Sequence, residues 1–174
     1  MKIITTPMCE DVLEIAGLKE YTVVNPKEIK DADVAILLSE TQSEIPKISI
    51  KLNTYTQLYE SILKISDEFN TKADVNKMKE IKNYISQNYA KKDNRKDTKV
   101  KVYSNFLKDT IEDMGFIIDE ENYDYIIAPD YMKDNIECSK NLIMIPSHKN
   151  VSKRIIDRIN ERYLLLESKL CMKQ

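Results

Sequence analysis

The chain has 174 residues, 42% of them hydrophobic and 32% charged, with a formal net charge of −2 at pH 7. That is the profile of a folded chain rather than a disordered one, long enough for one domain or two small lobes. It carries no overall basic field, which argues against a nucleic-acid partner, and no apolar run near the ~20 residues needed to cross a bilayer, which argues against a membrane partner.

A strand begins almost at once at Lys2, Ile3 and Ile4 with no signal-peptide core ahead of it, so a cytoplasmic protein is expected. The stretch ITTPMCEDVLEIAG, residues 4–17, reads as that strand, a polar turn and a helix carrying Val12, Leu13 and Ala16, closed by Gly17. ADVAILLSE (32–40) and the start of PKISIKLNTYTQLYESILKI (46–65) read as short Val/Ile-rich strands of the kind covered on both faces. Thr54 to Gln57 form a capping-box pattern that opens a helix burying Leu58, Ile62, Ile65 and Phe69. Val75, Met78, Ile81, Ile85 and Tyr89 recur at helical spacing, which predicts a helix over 74–90 of ~25 Å at ~1.5 Å per residue. The following KKDNRKDTK has no apolar anchor and reads as a solvated linker.

Beyond the linker the first pattern returns. Gly17 and Gly115, the two glycines of the chain, follow the similar stretches EDVLEIAG and KDTIEDMG, 98 positions apart. On that offset Ile3–Thr6 fall on Lys101–Ser104, and the second helix carries Phe106, Leu107, Thr110, Ile111 and Met114. ADVAILLSE falls near YDYIIAPDY (123–131), and residues 46–65 resemble KNLIMIPSHKNVSKRIIDRI (140–159). Each half thus reads strand, helix, strand, strand, helix. The expected fold class is α/β: two small Rossmann-like parallel-sheet lobes, 1–73 and 100–174, joined across 74–99 by a long helix and a charged linker.

Pro7-Met8-Cys9-Glu10-Asp11-Val12-Leu13-Glu14-Ile15-Ala16-Gly17 resembles the opening of the binding proteins that deliver corrinoids, haem and iron–siderophores to ABC transporters. Asp33–Leu37, Thr56–Ile62 and the strand NLIMIP (141–146) with the helix after it continue the likeness. Glu10 stands where that family has Thr, Asp11 where it has Glu, and the segment between Gly17 and Asp33 is short by a strand. The resemblance implies two α/β lobes on one long helix with ligand held in the cleft between them. The architecture is also similar to that of tetrapyrrole chelatases and nitrogenase-like subunits, and the chain resembles a family restricted to methanogenic archaea.

Reactive side chains are few. Cys9, Cys138 and Cys171 are odd in number and far apart, which fits free thiols. Cys9 falls at a helix start, where a thiolate is favoured, so it is expected to be the most reactive of the three; the alternative is a small residue at a joint. A phosphatase loop is excluded, because 11–17 contain no arginine. His148, the single histidine, follows a strand end, where open sheets place ligands, and reads equally as a loop residue or a cap. Cys9, Glu40, Cys138 and His148 have no local zinc-ligand spacing. Two glycines cannot write a phosphate-binding loop or a dinucleotide fingerprint, which removes ATPase and Rossmann dehydrogenase chemistry. Polar residues nevertheless gather at the expected strand ends. Thr5, Thr6, Met8, Cys9, Ser39, Glu40, Ser104, Asn105, Asp130, Ser147 and His148 form the candidate ligand-binding set, although hydroxyls in such places are common helix caps.

The reading from sequence is a small-molecule or metal-chelate binding protein, its ligand of tetrapyrrole or corrinoid type. The alternatives are an enzyme of cofactor metabolism using Cys9 or His148, and a subunit whose cleft face meets a protein partner.

Overall fold

The computed structural model describes residues 1–136, 139–147 and 151–171. It divides into two compact units, Met1–Asn83 and Tyr84–Gln174.

The first unit runs β1 (Ile3–Thr5), α1 (Glu10–Ile15), β2 (Thr22–Val23), β3 (Val34–Leu38), β4 (Lys47–Ile50) and α2 (Tyr55–Glu68), and opens α3 (Val75–Lys91). The second completes α3 and continues β5 (Lys99–Val102), α4 (Asn105–Met114), β6 (Ile117–Ile118), β7 (Tyr125–Pro129), β8 (Leu142–Ile145) and α5 (Ile155–Leu170). The sheets have the orders β2-β1-β3-β4 and β6-β5-β7-β8, every pair parallel. The α/β class and the repeated plan of the two halves are therefore features of the folded chain.

One expectation is corrected. The segment between Gly17 and Asp33 does contain a strand, β2, and its counterpart β6 follows Gly115. Each has two residues on a sheet edge, too short to show the period-2 alternation that marks a strand in sequence.

Both glycines end helices in the same way. Gly17 has φ +79° and Gly115 φ +90°. Leu18 N–H reaches Leu13 O at 3.0 Å and Phe116 N–H reaches Ile111 O at 3.2 Å, the six-to-one bond of a left-handed helix cap. At Gly17 the chain is also crowded, since a Cβ would stand 2.3 Å from Lys72 O.

Burial follows strand alternation. In the first sheet Ile4, Ala35 and Leu37 form a cluster covered by Val24, Ile29, Ala32 and Ile45. Ile3, Thr5 and Ile36 alternate onto the opposite face, and α1 and α2 bury Val12, Leu13, Leu58, Ile62 and Ile65. The exposed flank of edge strand β4 is closed by α2. Lys64 Nζ donates to Ser49 O at 2.9 Å, and Ser61 Oγ both donates to Lys51 O (2.9 Å) and accepts from Lys51 N (3.2 Å). Backbone groups so occupied cannot template another strand.

The α2 cap has the expected form: Thr54 Oγ1 accepts from Gln57 N at 3.1 Å, while Gln57 Oε1 accepts from Asn53 N at 3.1 Å. Asp74 opens α3 by accepting from Asn76 N and Lys77 N at 2.9 and 3.1 Å. The charged stretch after α3 is not uniformly solvated. Arg95 is only 2% exposed. It donates to Asn88 Oδ1 (2.7 Å), Met114 O (2.9 Å) and Glu167 Oε2 (3.0 Å), tying α3, α4 and α5 together. A guanidinium needs such acceptors when it leaves water, and sequence shows only another basic residue.

Candidate functional site

In each sheet the chain goes from the first strand to one neighbour and then returns to the other side. The order therefore reverses between β1 and β3, and between β5 and β7. Ligands of open α/β sheets bind outside the carboxyl ends of the strands at such reversals.

In the first unit this edge is made by residues 6–9 after β1 and residues 39–41 after β3. Cys9 N–H closes the first turn on Thr6 O at 2.9 Å. Thr5 is fully buried, its hydroxyl donating to Ile36 O at 2.8 Å, so it ties β1 to β3. Thr6 is nearly buried and Cys9 entirely so, with Thr6 Oγ1 directed at Cys9 Sγ 3.8 Å away. Met8 is half-buried and Pro7 exposed. Ser39 donates to Glu40 Oε2 at 2.9 Å, and Glu40 is exposed. Lys47, a residue the sequence did not flag, donates to Ser39 O (3.1 Å) and Thr41 O (2.7 Å) and so shapes this turn from the following strand. No local motif marks it, because a lysine at a strand start looks like any solvated charge.

Burial changes the reading of Cys9. It caps the start of α1 from just outside the helix, but the thiol has no solvent exposure, and the exposed free cysteine among the described residues is Cys171. A nucleophile must be reached by its target.

In the second unit, Ser104 caps α4 by accepting from Leu107 N at 3.3 Å, and the exposed Asn105 begins the helix. Asp130, directly after β7, accepts from Ser147 N (Oδ2, 3.1 Å) and from the Ser147 hydroxyl (Oδ1), binding the end of β7 to the end of β8. Ser104, Asn105, Asp130 and Ser147 thus follow the carboxyl ends of β5, β7 and β8 of one sheet. His148 and Cys138 lie outside the described residues. Among the described residues no group of three His, Cys, Asp or Glu side chains comes together to hold a metal ion. No helix among them is long and apolar enough to cross a membrane.

The chain is 31% identical over 183 aligned positions to MJ0786 of Methanocaldococcus jannaschii, an alignment covering 94% of this chain and 91% of that protein. It belongs to the MJ0786 family. The pattern of the MJ0786 family C-terminal domain matches residues 97–171, which fall in the second unit. The likeness to an archaeal methanogen family expected from sequence is therefore shown.

Solved structures of solute-binding proteins share the fold. The laminin-binding adhesin Lmb of Streptococcus agalactiae, in a mutant form, matches with TM-score 0.64 at 12% identity, over 98% of this chain and 99% of that one. The solute-binding protein FpvC of P. aeruginosa, in complex with Ni2+, matches with TM-score 0.57 at 10% identity, over 100% and 98%. A Zn(II)-bound AdcAII variant of Streptococcus pneumoniae gives 0.56 at 12% identity, over 98% of each chain. At these identities the likeness is one of fold: two parallel-sheet α/β units of the solute-binding type.

Proposed function

We propose that this protein binds a small molecule or metal chelate, of tetrapyrrole or corrinoid type, through the turns at the carboxyl edges of its sheets. The observation that carries this reading is the placement of Thr6, Met8, Ser39 and Glu40 at the strand-order reversal of one sheet, and of Ser104, Asn105 and Asp130 at that of the other. The fold shared with solute-binding proteins supports a ligand-binding role. A bulky chelate suits turns that present hydroxyl, amide and carboxylate groups rather than a compact cluster of metal ligands. The enzyme reading with Cys9 as nucleophile loses its support, because that thiol is enclosed.

The test is titration of the purified protein with haem, a corrinoid and a nickel tetrapyrrole, followed by absorbance and calorimetry. A saturating complex is expected with one of them. Asn105→Ala and Glu40→Ala, one in each unit, then show which edge contributes, with a loss of ~1–3 kcal/mol for a hydrogen-bonding group. Ser147 and His148 are tested in the same series. Failure of all three ligands to saturate would remove the chelate-binding reading and leave the face to a protein partner.

A further inference from the structure

The two sheets share one register, and at one place in it they carry opposite chemistry. In the first, Ile4 pairs with Ala35 and Ala35 with Lys47; in the second, Lys101 pairs with Ile126 and Ile126 with Leu142. Lys101 thus takes the place of Ile4, on the sheet face opposite the buried Val100 and Val102. In the first unit that place is core: Ile4 is 1% exposed, in the cluster covered by Val24, Ile29, Ala32 and Ile45. In the second unit Lys101, Ile126 and Leu142 are all half-buried.

An ammonium in that position has lost part of its water, and rings rather than an acid stand beside it. Lys101 Nζ lies 5.4 Å from the Tyr103 ring centroid and 5.5 Å from that of Tyr123. The acids of the loop before β7 serve other groups. Asp119 pairs with Lys99 at 3.1 Å, Glu120 pairs with Lys108 at 3.6 Å, and Asp124 accepts from Lys99 N at 3.3 Å. Among the described residues no carboxylate pairs with Lys101. Ring faces attract a cation but leave its charge in place.

A cation flanked by two aromatic rings, with Ile126 and Leu142 in the same row, is complementary to a carboxylate carried on a flat apolar body. We infer that Lys101, Tyr103 and Tyr123 form a binding site for a small aromatic carboxylate on this face of the second sheet. Lys101 supplies the charge, and the tyrosine rings with Ile126 and Leu142 supply the apolar contact. The inference rests on residues other than those of the carboxyl-edge reading, so either can fail alone.

The full chain, labelled in its tyrosine rings, is titrated at pH 7 with sodium benzoate and followed by NMR. Acetate, which lacks the ring, and benzyl alcohol, which lacks the charge, serve as controls at matched ionic strength. Saturable shifts of the Tyr103 and Tyr123 ring signals are expected with benzoate, and binding at least tenfold weaker with either control. Lys101→Ile gives the second unit the residue that the first carries in this register, and should weaken benzoate binding at least tenfold. If circular dichroism shows that variant unfolded, Lys101→Gln replaces it with the same expected loss. Absence of saturation by benzoate, saturable shifts that spare both tyrosines, acetate or benzyl alcohol binding as well as benzoate, or a Lys101 variant that binds as the wild type does would each overturn the inference.

Discussion

The Thr6 hydroxyl is directed at the Cys9 sulfur 3.8 Å away, and neither residue is more than 5% exposed. The turn that looks in sequence like a reactive lip therefore keeps its thiol inside. Cys171 is exposed and should be alkylated by iodoacetamide well before Cys9. Peptide mass spectrometry of briefly labelled native protein reads the order directly. Labelling of Cys9 as fast as Cys171 would mean that the turn opens readily in solution.

The two helix-ending glycines should differ in tolerance. Gly17→Ala meets both a left-handed backbone and the Lys72 carbonyl, and should cost at least about 2 kcal/mol. Gly115→Ala meets Lys92 Cβ and Cγ at 3.1 Å and its Cα at 3.2 Å, looser contacts than the 2.3 Å at Gly17, so the left-handed backbone dominates and the cost should be about 1–2 kcal/mol. Urea unfolding of both variants measures the difference, and equal losses would contradict the crowding assigned to Gly17.

Arg95 should be the most costly polar residue of the second unit to truncate. Arg95→Ala leaves Asn88 Oδ1 and the Met114 carbonyl without this donor and Glu167 with Lys91 as its remaining cation among the described residues. A loss of about 3 kcal/mol or more is expected in chemical denaturation. Its Nε–H is buried without a partner among the described residues, so the site is not fully satisfied even as built. Arg95→Lys, which keeps the charge but cannot reach three acceptors, should fall between wild type and alanine. A loss under 1 kcal/mol for alanine would show that the network contributes little.

Asp119 should titrate below the usual carboxylate range. Its carboxylate accepts from Asn122 N, then from the Lys99 ammonium, and then from Glu121 N, and each bond favours the ionised form. Because the folded state holds this group ionised to lower pH than the unfolded state does, its contribution is complete above the unfolded value of about 3.9 and disappears as pH falls through the folded one. Carboxyl-carbon NMR of the native protein, with Asp119→Asn to assign the signal, tests the direction. An Asp119 signal titrating at or above the unfolded value would refute it.

Local chemistry alone carried much of the architecture. The Val/Ile runs, the capping residue Thr54, the helical spacing from Val75 to Tyr89 and the glycines at 17 and 115 act through neighbours a few positions away, so the α/β class, α2, α3 and the repeat were legible in sequence. The strands β2 and β6 were not, because two residues on a sheet edge exist only through pairing with β1 and β5. Residue type also showed that polar groups collect after strands, but not which ones remain available. Thr5 turns its hydroxyl to Ile36 and Cys9 is enclosed beneath the same edge, whereas Glu40 and Asn105 stay exposed. Arg95 and Lys47 looked like ordinary solvated charges until helices and turns distant in sequence brought carbonyl and carboxylate oxygens to them. Burial and long-range hydrogen bonding depend on which segments meet, and that is a property of the tertiary structure.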